Sequence, residues 1–253
     1  LCQKYEGDVY LTARDESRGM TAVEELKKEG LSPKFHQLDI DDQNSINKLR
    51  DFVKDNYGGL DVLVNNAGIA YKQASTAPFP EQAEVTCKTN FFSTLNVCNA
   101  LFPLLRSHAR VVNVSSMMSQ VGLGRCNDDM KKRVLSAKTI ADVEAFMTDF
   151  VEAAKAGTHK DKGWPDTAYG MSKVGVTAMT LIQHKDIEAD KSREDIVINA
   201  CCPGYVSTDM TSHKGHKTID QGADTPLYLA LLPPNVDSPR GCFVSERKIG
   251  KWE

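Results

Sequence analysis

The chain has 253 residues, 41% hydrophobic and 26% charged, so it contains enough apolar material for a substantial core. Its 31 basic and 34 acidic residues nearly balance, which argues against a nucleic-acid groove or a membrane-binding face. No apolar run is long enough to span a membrane and the first residues do not read as a secretory signal, so we expect a cytoplasmic protein. Seven irregularly spaced cysteines predict reduced thiols, with no disulfide framework and no metal site.

Two kinds of segment alternate along the chain. Short, β-branched and mostly apolar segments predict buried parallel strands at 8–13, 34–38, 60–64, 110–114 and 196–201. Segments with apolar residues every three or four positions predict helices at 17–29, 44–56, 81–105, 139–155 and 167–188. A last helix at 219–231 and a last strand at 241–245 follow. This alternation is typical of an α/β fold with a doubly wound parallel sheet, here as a single domain over residues 1–253.

Polar motifs follow three of the predicted strands. They are the turn at 65–68 (Asn-Asn-Ala-Gly), the pair Ser115-Ser116, and Pro203-Gly204. Open α/β sheets bind their ligands at the carboxyl ends of the strands, which is where these motifs are expected to lie. The turn offers two amides for hydrogen bonding and a glycine that lets a flat ligand approach the backbone. The alternative is a turn that only ends a strand.

Tyr169 and Lys173 lie four residues apart in a predicted helix and therefore share one face. A neighbouring ammonium group is expected to favour the ionised phenol and move its pKa toward neutral pH, where the phenol can act as a general acid. A serine hydroxyl can then hold the oxygen that is protonated. One such pair arises easily by chance, but only this tyrosine of the seven has a lysine at that spacing.

Together these motifs resemble the short-chain dehydrogenase/reductase family, and the likeness runs over essentially the whole chain. The markers include 11–15, 35–41, 65–70, 88–92, 113–116, 169–173 and 199–204. Within the family, the chain looks most like the monomeric NADPH-dependent carbonyl reductases. The resemblance implies a Rossmann-like fold and the reduction of ketones, aldehydes and quinones to alcohols by hydride transfer from NADPH.

The resemblance also assigns catalytic roles. Tyr169 would protonate the carbonyl oxygen as general acid, Ser116 would orient that oxygen, and Lys173 would tune Tyr169 and bind the nicotinamide ribose. Asn90 would hold a water that supplies protons through Lys173, although it could instead satisfy a local carbonyl. The sequence leaves Ser115 and Ser116 as alternatives, and the family pattern favours Ser116.

Cofactor and substrate contacts are assigned in the same way. Arg14 suits the 2′-phosphate of NADPH, although the adjacent Asp15 leaves open an ordinary surface ion pair. Matching positions place NADPH contacts at Asp39, Ile40, Asn66, Tyr169, Lys173, Val206, Ser207 and Thr208. A small-molecule carbonyl substrate would meet Ser116 and a broad pocket formed by Tyr71, Lys72, Gln82 and Trp164.

A long interval separates Ser116 from Tyr169, and we interpret residues 117–163 as a helical insertion. The monomeric carbonyl reductases have such an insertion. Relatives without it often pair through the helix that carries the catalytic tyrosine, so the insertion predicts a monomer. The alternative is a mobile lid with no effect on assembly.

The Gly-rich turn that opens the family's sequence pattern does not occur in this chain. In relatives, its backbone amides and the following helix receive the cofactor's pyrophosphate. The strand before it, expected between the strands at 8–13 and 60–64, is missing as well. The sequence is then either part of the sequence of an ordinary reductase or a truncated non-catalytic form that acts as a binding or regulatory protein. An isomerase or epimerase on the same scaffold is a poorer alternative, because it leaves Arg14 unexplained.

Overall fold

The computed structural model describes residues 1–72 and 74–252, and its contacts divide the chain into two compact units. The first unit contains residues 1–60 and 96–105, and the second contains residues 61–95 and 106–253. Within the described part of the chain, no helix combines the length and apolarity that crossing a bilayer requires.

The first unit is built on two parallel strands, β1 (Tyr10–Ala13) and β2 (Lys34–Gln37). They are connected by helix α1 (Glu16–Lys28), and helix α2 (Gln43–Tyr57) follows β2. Helix α1 packs closely on β2 because Gly19 has no side chain: an ideal Cβ there would lie 2.0 Å from the ring of Phe35. Each helix begins at an aspartate that accepts a backbone hydrogen bond, Asp15 in α1 and Asp42 in α2.

The second sheet has five strands in the order in which they occur in the chain. They are β3 (Leu60–Asn65), β4 (Leu105–Val114), β5 (Val197–Cys202), β6 (Phe243–Ser245) and β7 (Lys248–Gly250). Strands β4, β5 and β6 pair in parallel, whereas β6 and β7 pair antiparallel. Every residue of β5 is buried, Asn199 included, as expected for a mostly apolar parallel strand. The predicted α/β fold is confirmed.

The predicted single sheet is corrected in one respect. Strands β1 and β2 form a two-stranded sheet of their own, and β3 is an edge strand of the five-stranded sheet. Strand β7 was not predicted, because it has only three residues and two of them are exposed.

The predicted helix at 81–105 is also corrected. Helix α3 (Phe79–Cys87) is followed by one π-helical segment (Lys88–Ser93), helix α4 (Thr94–Leu101) and a short 3-10 turn, and strand β4 already begins at Leu105. Apolar periodicity could not show these changes, because the chain is buried at most positions from 86 to 98 and has no single apolar face there.

The segment predicted as an insertion is helical. It contains α5 (Met118–Arg125), α6 (Asp128–Leu135) and α7 (Ile140–Lys155), and the amide of Asn127, before α6, donates to the carbonyl of Gly163 at 2.9 Å. Helix α8 (Ala168–Ala189) follows and is buried at almost every position as far as His184. It packs against α3, α5, α7 and β5. Helix α9 (Ile219–Ala230) precedes β6.

Candidate active site

The first turn of α8 brings Tyr169 to the carboxyl end of β4. Thr167 caps this helix, its hydroxyl accepting from the amide of Gly170 at 3.1 Å, so the second helical residue is Tyr169. Ser116 follows the last residue of β4 by two positions, and its side chain interacts with the Tyr169 phenol, a contact that acts to lower the pKa of that group. Both side chains are only half-buried. The two groups that the sequence proposed for protonating and orienting a carbonyl oxygen therefore meet.

Lys173 lies one turn further along α8 and is only 5% exposed. Its Nζ donates to the carbonyl of Val114 at 2.7 Å and lies 5.7 Å from the centre of the Tyr169 ring. Burial disfavours the charged ammonium and lowers the pKa of Lys173 to about 8. This cation is therefore fixed at the end of β4 and can lose its proton near neutral pH.

The expected effect of Lys173 on Tyr169 is corrected by this geometry. The pKa of Tyr169 is raised above its usual value because burial disfavours the phenolate, and the interaction with Ser116 only partly offsets this. Lys173 faces the ring and is bonded to Val114, so it does not stabilise a negative charge on the phenol oxygen. A raised pKa keeps Tyr169 protonated through the neutral range, which is the state a proton donor needs.

The two adjacent serines have different environments. Ser115 is 1% exposed, and its Oγ lies 2.7 Å from Thr177 Oγ1 and 3.2 Å from the backbone oxygen of Lys173. Ser116 Oγ accepts from the amide of Met118 at 3.1 Å and contacts Tyr169. Of the two hydroxyls, that of Ser116 is therefore the one available to a substrate.

Asn90 is held inside the π-helical segment by three hydrogen bonds. Its Oδ1 accepts from the amide of Ile69 at 2.7 Å, and its Nδ2 donates to the carbonyl of Ile69 and to Ser172 Oγ, both at 2.9 Å. These contacts match the alternative in which Asn90 satisfies a local carbonyl. An ideal Cβ at Gly68 would lie 3.2 Å from Asn90 Oδ1 and 3.6 Å from Lys173 Nζ, so the glycine keeps the approach to both groups open. The water-holding role stays a prediction.

The two asparagines of the turn after β3 point in different directions. Asn65 Nδ2 donates to Asn113 Oδ1 on β4 at 2.8 Å, so its amide belongs to the interior. Asn66 is exposed. Asn66 is therefore the more accessible of the two, and its contact with the cofactor stays a prediction.

The loop that contains Val206, Ser207 and Thr208 is held by its own hydrogen bonds. The Ser207 amide donates to the carbonyl of Lys217 at 2.9 Å, and the Thr208 amide donates to Thr211 Oγ1 at 3.1 Å. All three proposed cofactor residues are half-buried. They follow directly from the end of β5, the same end of the sheet as Ser116.

The proposed adenosine contacts lie in the first unit. Arg14 is exposed, and its guanidinium has no acidic partner among the described residues. Asp15 accepts from the amide of Arg18 at 2.8 Å as the N-cap of α1, so the two neighbours do not form the surface ion pair considered from the sequence. Asp39 and Ile40 are half-buried just after β2.

The structure places the four proposed residues of the substrate pocket in different environments. Trp164 is corrected: its ring is 4% exposed and packs on Phe146 and Phe150, so it belongs to the core of the insertion and does not line a pocket. The Gln82 amide donates to the carbonyl of Ala77 at 2.8 Å. Tyr71 and Lys72 lie on the loop after β3, half-buried and exposed respectively.

Two further polar side chains at the site were missed. Ser172 contacts Asn90, and Thr177 contacts Ser115. The signal was present in the sequence, because Lys173, Thr177 and Thr180 recur at intervals of four and three residues in an otherwise apolar helix. That spacing places all three on one face.

Known proteins are similar to this chain over most of its length. A family model described as short chain dehydrogenase matches residues 2–127. Carbonyl reductase [NADPH] 1 from Bos taurus and from Homo sapiens are each 52% identical to the chain over 254 residues, which cover 100% of this chain and 91% of the relative. Carbonyl reductase [NADPH] 3 from Rattus norvegicus is 51% identical, with the same coverage.

Solved structures are similar over nearly the whole fold. Salutaridine reductase from Papaver somniferum superimposes with a TM-score of 0.82 at 30% identity, covering 93% of this chain and 90% of that protein. Menthone neomenthol reductase from Mentha piperita gives a TM-score of 0.75 at 31% identity, covering 95% and 90%.

Proposed function

Because the chain belongs to the short-chain dehydrogenase/reductase family, we propose that it is an NADPH-dependent carbonyl reductase. The reaction is the reduction of ketones, aldehydes and quinones to alcohols. The observation that carries the proposal is the contact between Ser116 and Tyr169 with Lys173 fixed one turn away. The named relatives are carbonyl reductases, which gives no support to a non-catalytic binding or regulatory protein.

The chain's own groups supply the acid and the orientation for this reaction. Bound NADPH would supply the hydride that adds to the carbonyl carbon. Tyr169 donates its phenolic proton to the carbonyl oxygen, so that the product is a neutral alcohol. Ser116 donates a hydrogen bond to the same oxygen and holds it against the phenol. Because burial keeps Tyr169 protonated, the acid is ready at neutral pH.

The residues after β3, β4 and β5 fit the nicotinamide end of the cofactor. Gly68 leaves the approach to Lys173 Nζ and Asn90 Oδ1 free of a side chain, which suits a ribose hydroxyl at the lysine. We assign the ribose contact to Lys173 and Tyr169, and further contacts to Asn66, Val206, Ser207 and Thr208. At the adenosine end, the unpaired guanidinium of Arg14 suits a 2′-phosphate, and Asp39 and Ile40 would adjoin the base.

Return of a proton to Tyr169 is assigned to Lys173 and Asn90. The lowered pKa of Lys173, about 8, lets this group release and accept a proton near neutral pH. Asn90 Oδ1 has one lone pair beyond its bond to Ile69 and would hold the water that connects Lys173 to solvent. The substrate would meet Tyr71 and Lys72 on the loop after β3.

The proposal is tested by NADPH oxidation with an excess of a simple quinone. The wild-type chain should turn over, and Tyr169→Phe, which keeps the ring but has no proton to donate, should lose at least about 1000-fold in kcat. NADPH binding, followed by cofactor fluorescence, should stay within a few-fold of wild type. Tyr228→Phe in α9 is the matched control and should keep full activity.

Two results would contradict the assignment. Turnover that survives in Tyr169→Phe would remove the general-acid role. A folded chain that binds NADPH but shows no turnover with quinone, ketone or aldehyde would remove the carbonyl reductase activity. We further propose a cytoplasmic location, supported by an odd cysteine number that suits reduced thiols.

A further inference from the structure

Four consecutive residues at the end of β4 each contact α8. Asn113 Nδ2 donates to Thr180 Oγ1 at 2.9 Å, and the carbonyl of Val114 accepts from Lys173. Ser115 contacts Thr177, and Ser116 contacts Tyr169. The two contacts made by Ser116 and Val114 belong to the proposed active site. The other two involve no group that the proposed reaction uses.

The contact between Ser115 and Thr177 satisfies both hydroxyl groups without any further partner. If Ser115 donates to the backbone oxygen of Lys173, Thr177 donates to Ser115 Oγ, and each hydroxyl hydrogen then has an acceptor. Ser115 is 1% exposed and Thr177 is 0% exposed, so solvent water does not replace either partner. Loss of the Thr177 hydroxyl would remove this bond and leave Ser115 Oγ bonded only to the backbone oxygen of Lys173, so β4 would lose its side-chain contact with Thr177.

We propose that Thr177 is a positioning residue for this reaction: its hydrogen bond to Ser115 fixes the register of α8 against β4. That register holds Tyr169 against Ser116 and Lys173 against the Val114 carbonyl. The inference rests on the proposed reductase activity. Thr177 lies eight residues beyond Tyr169, about 12 Å along the helix, and so acts through the backbone and not by touching substrate.

Small displacements at this site have large kinetic effects. A proton donor and its partner must lie within hydrogen-bond distance of the reacting oxygen, and a displacement of about 1 Å can lower a rate by up to about 100-fold. Because Ser115 also bonds the backbone of Lys173, slippage at Thr177 is transmitted directly to the turn that carries Lys173 and Tyr169.

The test uses Thr177→Val, which keeps the shape of the side chain and removes its hydroxyl. The full-length chain is labelled with 13C at tyrosine Cζ, and the Tyr169 resonance is identified by its loss in Tyr169→Phe. We expect Thr177→Val to shift the Tyr169 resonance and not those of the other six tyrosines. With quinone, kcat should fall about tenfold while KM changes less than about twofold.

Three further variants define the cause. Thr177→Ser retains the hydroxyl and should restore both the resonance and kcat. Ser115→Ala combined with Thr177→Val should be no worse than either single variant, because both remove one contact. Thr225→Val removes a buried hydroxyl that accepts from the amide of Arg247, outside α8 and β4, and should change neither. Unfolding temperatures are measured for all variants, and rates are taken well below them.

The inference is overturned if Thr177→Val leaves the Tyr169 resonance or the kcat of an active enzyme unchanged. It is also overturned if Thr177→Ser behaves like Thr177→Val, or if Thr225→Val has the same effect. A wild-type chain without turnover would contradict the proposed reductase activity, and that result is distinct from a failure of the inference about Thr177. In that case the Tyr169 resonance still decides whether Thr177 sets the position of the phenol.

Discussion

Lys173 is a buried cation, and its charge lowers the stability of the folded chain although the proposed reaction uses it. Its ammonium donates to one backbone carbonyl, that of Val114, and is otherwise enclosed by protein, which lowers its pKa from 10.5 to about 8. A lower pKa in the folded than in the unfolded chain means that folding releases protons at intermediate pH. The charge of Lys173 therefore destabilises the folded state at neutral pH, while it serves the proposed cofactor and proton contacts.

The first prediction follows from the sign of this shift. Between about pH 8 and pH 10.5 the unfolded chain binds more protons at Lys173, so this residue's contribution to stability becomes more favourable as pH rises. Lys173→Met should raise the free energy of unfolding at pH 7 by about 1–3 kcal/mol. The gain should shrink as pH rises from 8 toward 10. The measurement is urea unfolding of both proteins across that pH range.

Lys162→Met is the matched control for that experiment, because Lys162 is exposed. Its effect on the free energy of unfolding should be small and independent of pH. A pH-independent difference between wild type and Lys173→Met would contradict the burial of a partly neutralised lysine. A Lys173→Met chain less stable than wild type at pH 7 would contradict it as well.

Helix α5 approaches α8 closely through two glycines. An ideal Cβ at Gly122 would lie 3.0 Å from the backbone carbon of Gly170 and 3.1 Å from its oxygen. A backbone neighbour cannot rotate away as a flexible side chain can, so the helices would have to separate. Gly124, in the same helix, is exposed and its ideal Cβ meets nothing within 4 Å.

The second prediction compares these two positions in one helix. Gly122→Ala should lower the free energy of unfolding by about 1–3 kcal/mol, because overpacking at the α5–α8 contact outweighs the better helix propensity of alanine. Gly124→Ala should be neutral or stabilising by up to about 1 kcal/mol, since only the propensity changes. Thermal unfolding followed by circular dichroism measures both. Equal effects at the two positions would mean that Gly122 does not form a close helix contact.

The elements that the sequence predicted well are those with a strong apolar pattern. Strand β5 is mostly apolar and α8 has a long periodic stretch, so each of their bounds differs from the prediction by one residue. The π-helical segment could not be predicted from the sequence, because the chain is buried at most of its positions and shows no single apolar face whose period could be measured. Strand β7 depends on its antiparallel pairing with β6, which local sequence does not encode.

The sequence predicted which residue types meet at the site, but it did not predict their burial or the direction of their pKa shifts. Tyr169, Ser116 and Lys173 meet as the motifs indicated, since parallel strands end at the same edge of the sheet. The direction of the Tyr169 pKa shift was wrong, because burial and the Val114 carbonyl depend on packing and not on spacing. The prediction that Trp164 lines the substrate pocket was wrong for the same reason, because an aromatic residue near a site can equally belong to the core of the predicted insertion.

At the scale of the whole molecule, the surface of α8 bears on assembly. From Ala168 to His184, every residue is buried except Tyr169 and Leu181, which are half-buried. The segment at 117–163 contributes α5 and α7 to this cover, and α3 packs against both α7 and α8. If this segment is the predicted insertion, the α8 face through which the resemblance implies pairing is covered within one chain. The packing on α8 also gives the segment a fixed place, which disfavours a mobile lid.

The last prediction is a monomer. A stable homodimer would need roughly 800 Å² per partner of complementary surface, and a helix already buried within its own chain cannot provide it. Sedimentation equilibrium over a hundredfold range of concentration should give the mass of one chain throughout, with and without NADPH. Gly122→Ala supplies the internal comparison, because separating α5 from α8 is the change that would uncover this face. A dimer of the wild-type chain would show that pairing uses another surface and that the insertion does not set the oligomeric state.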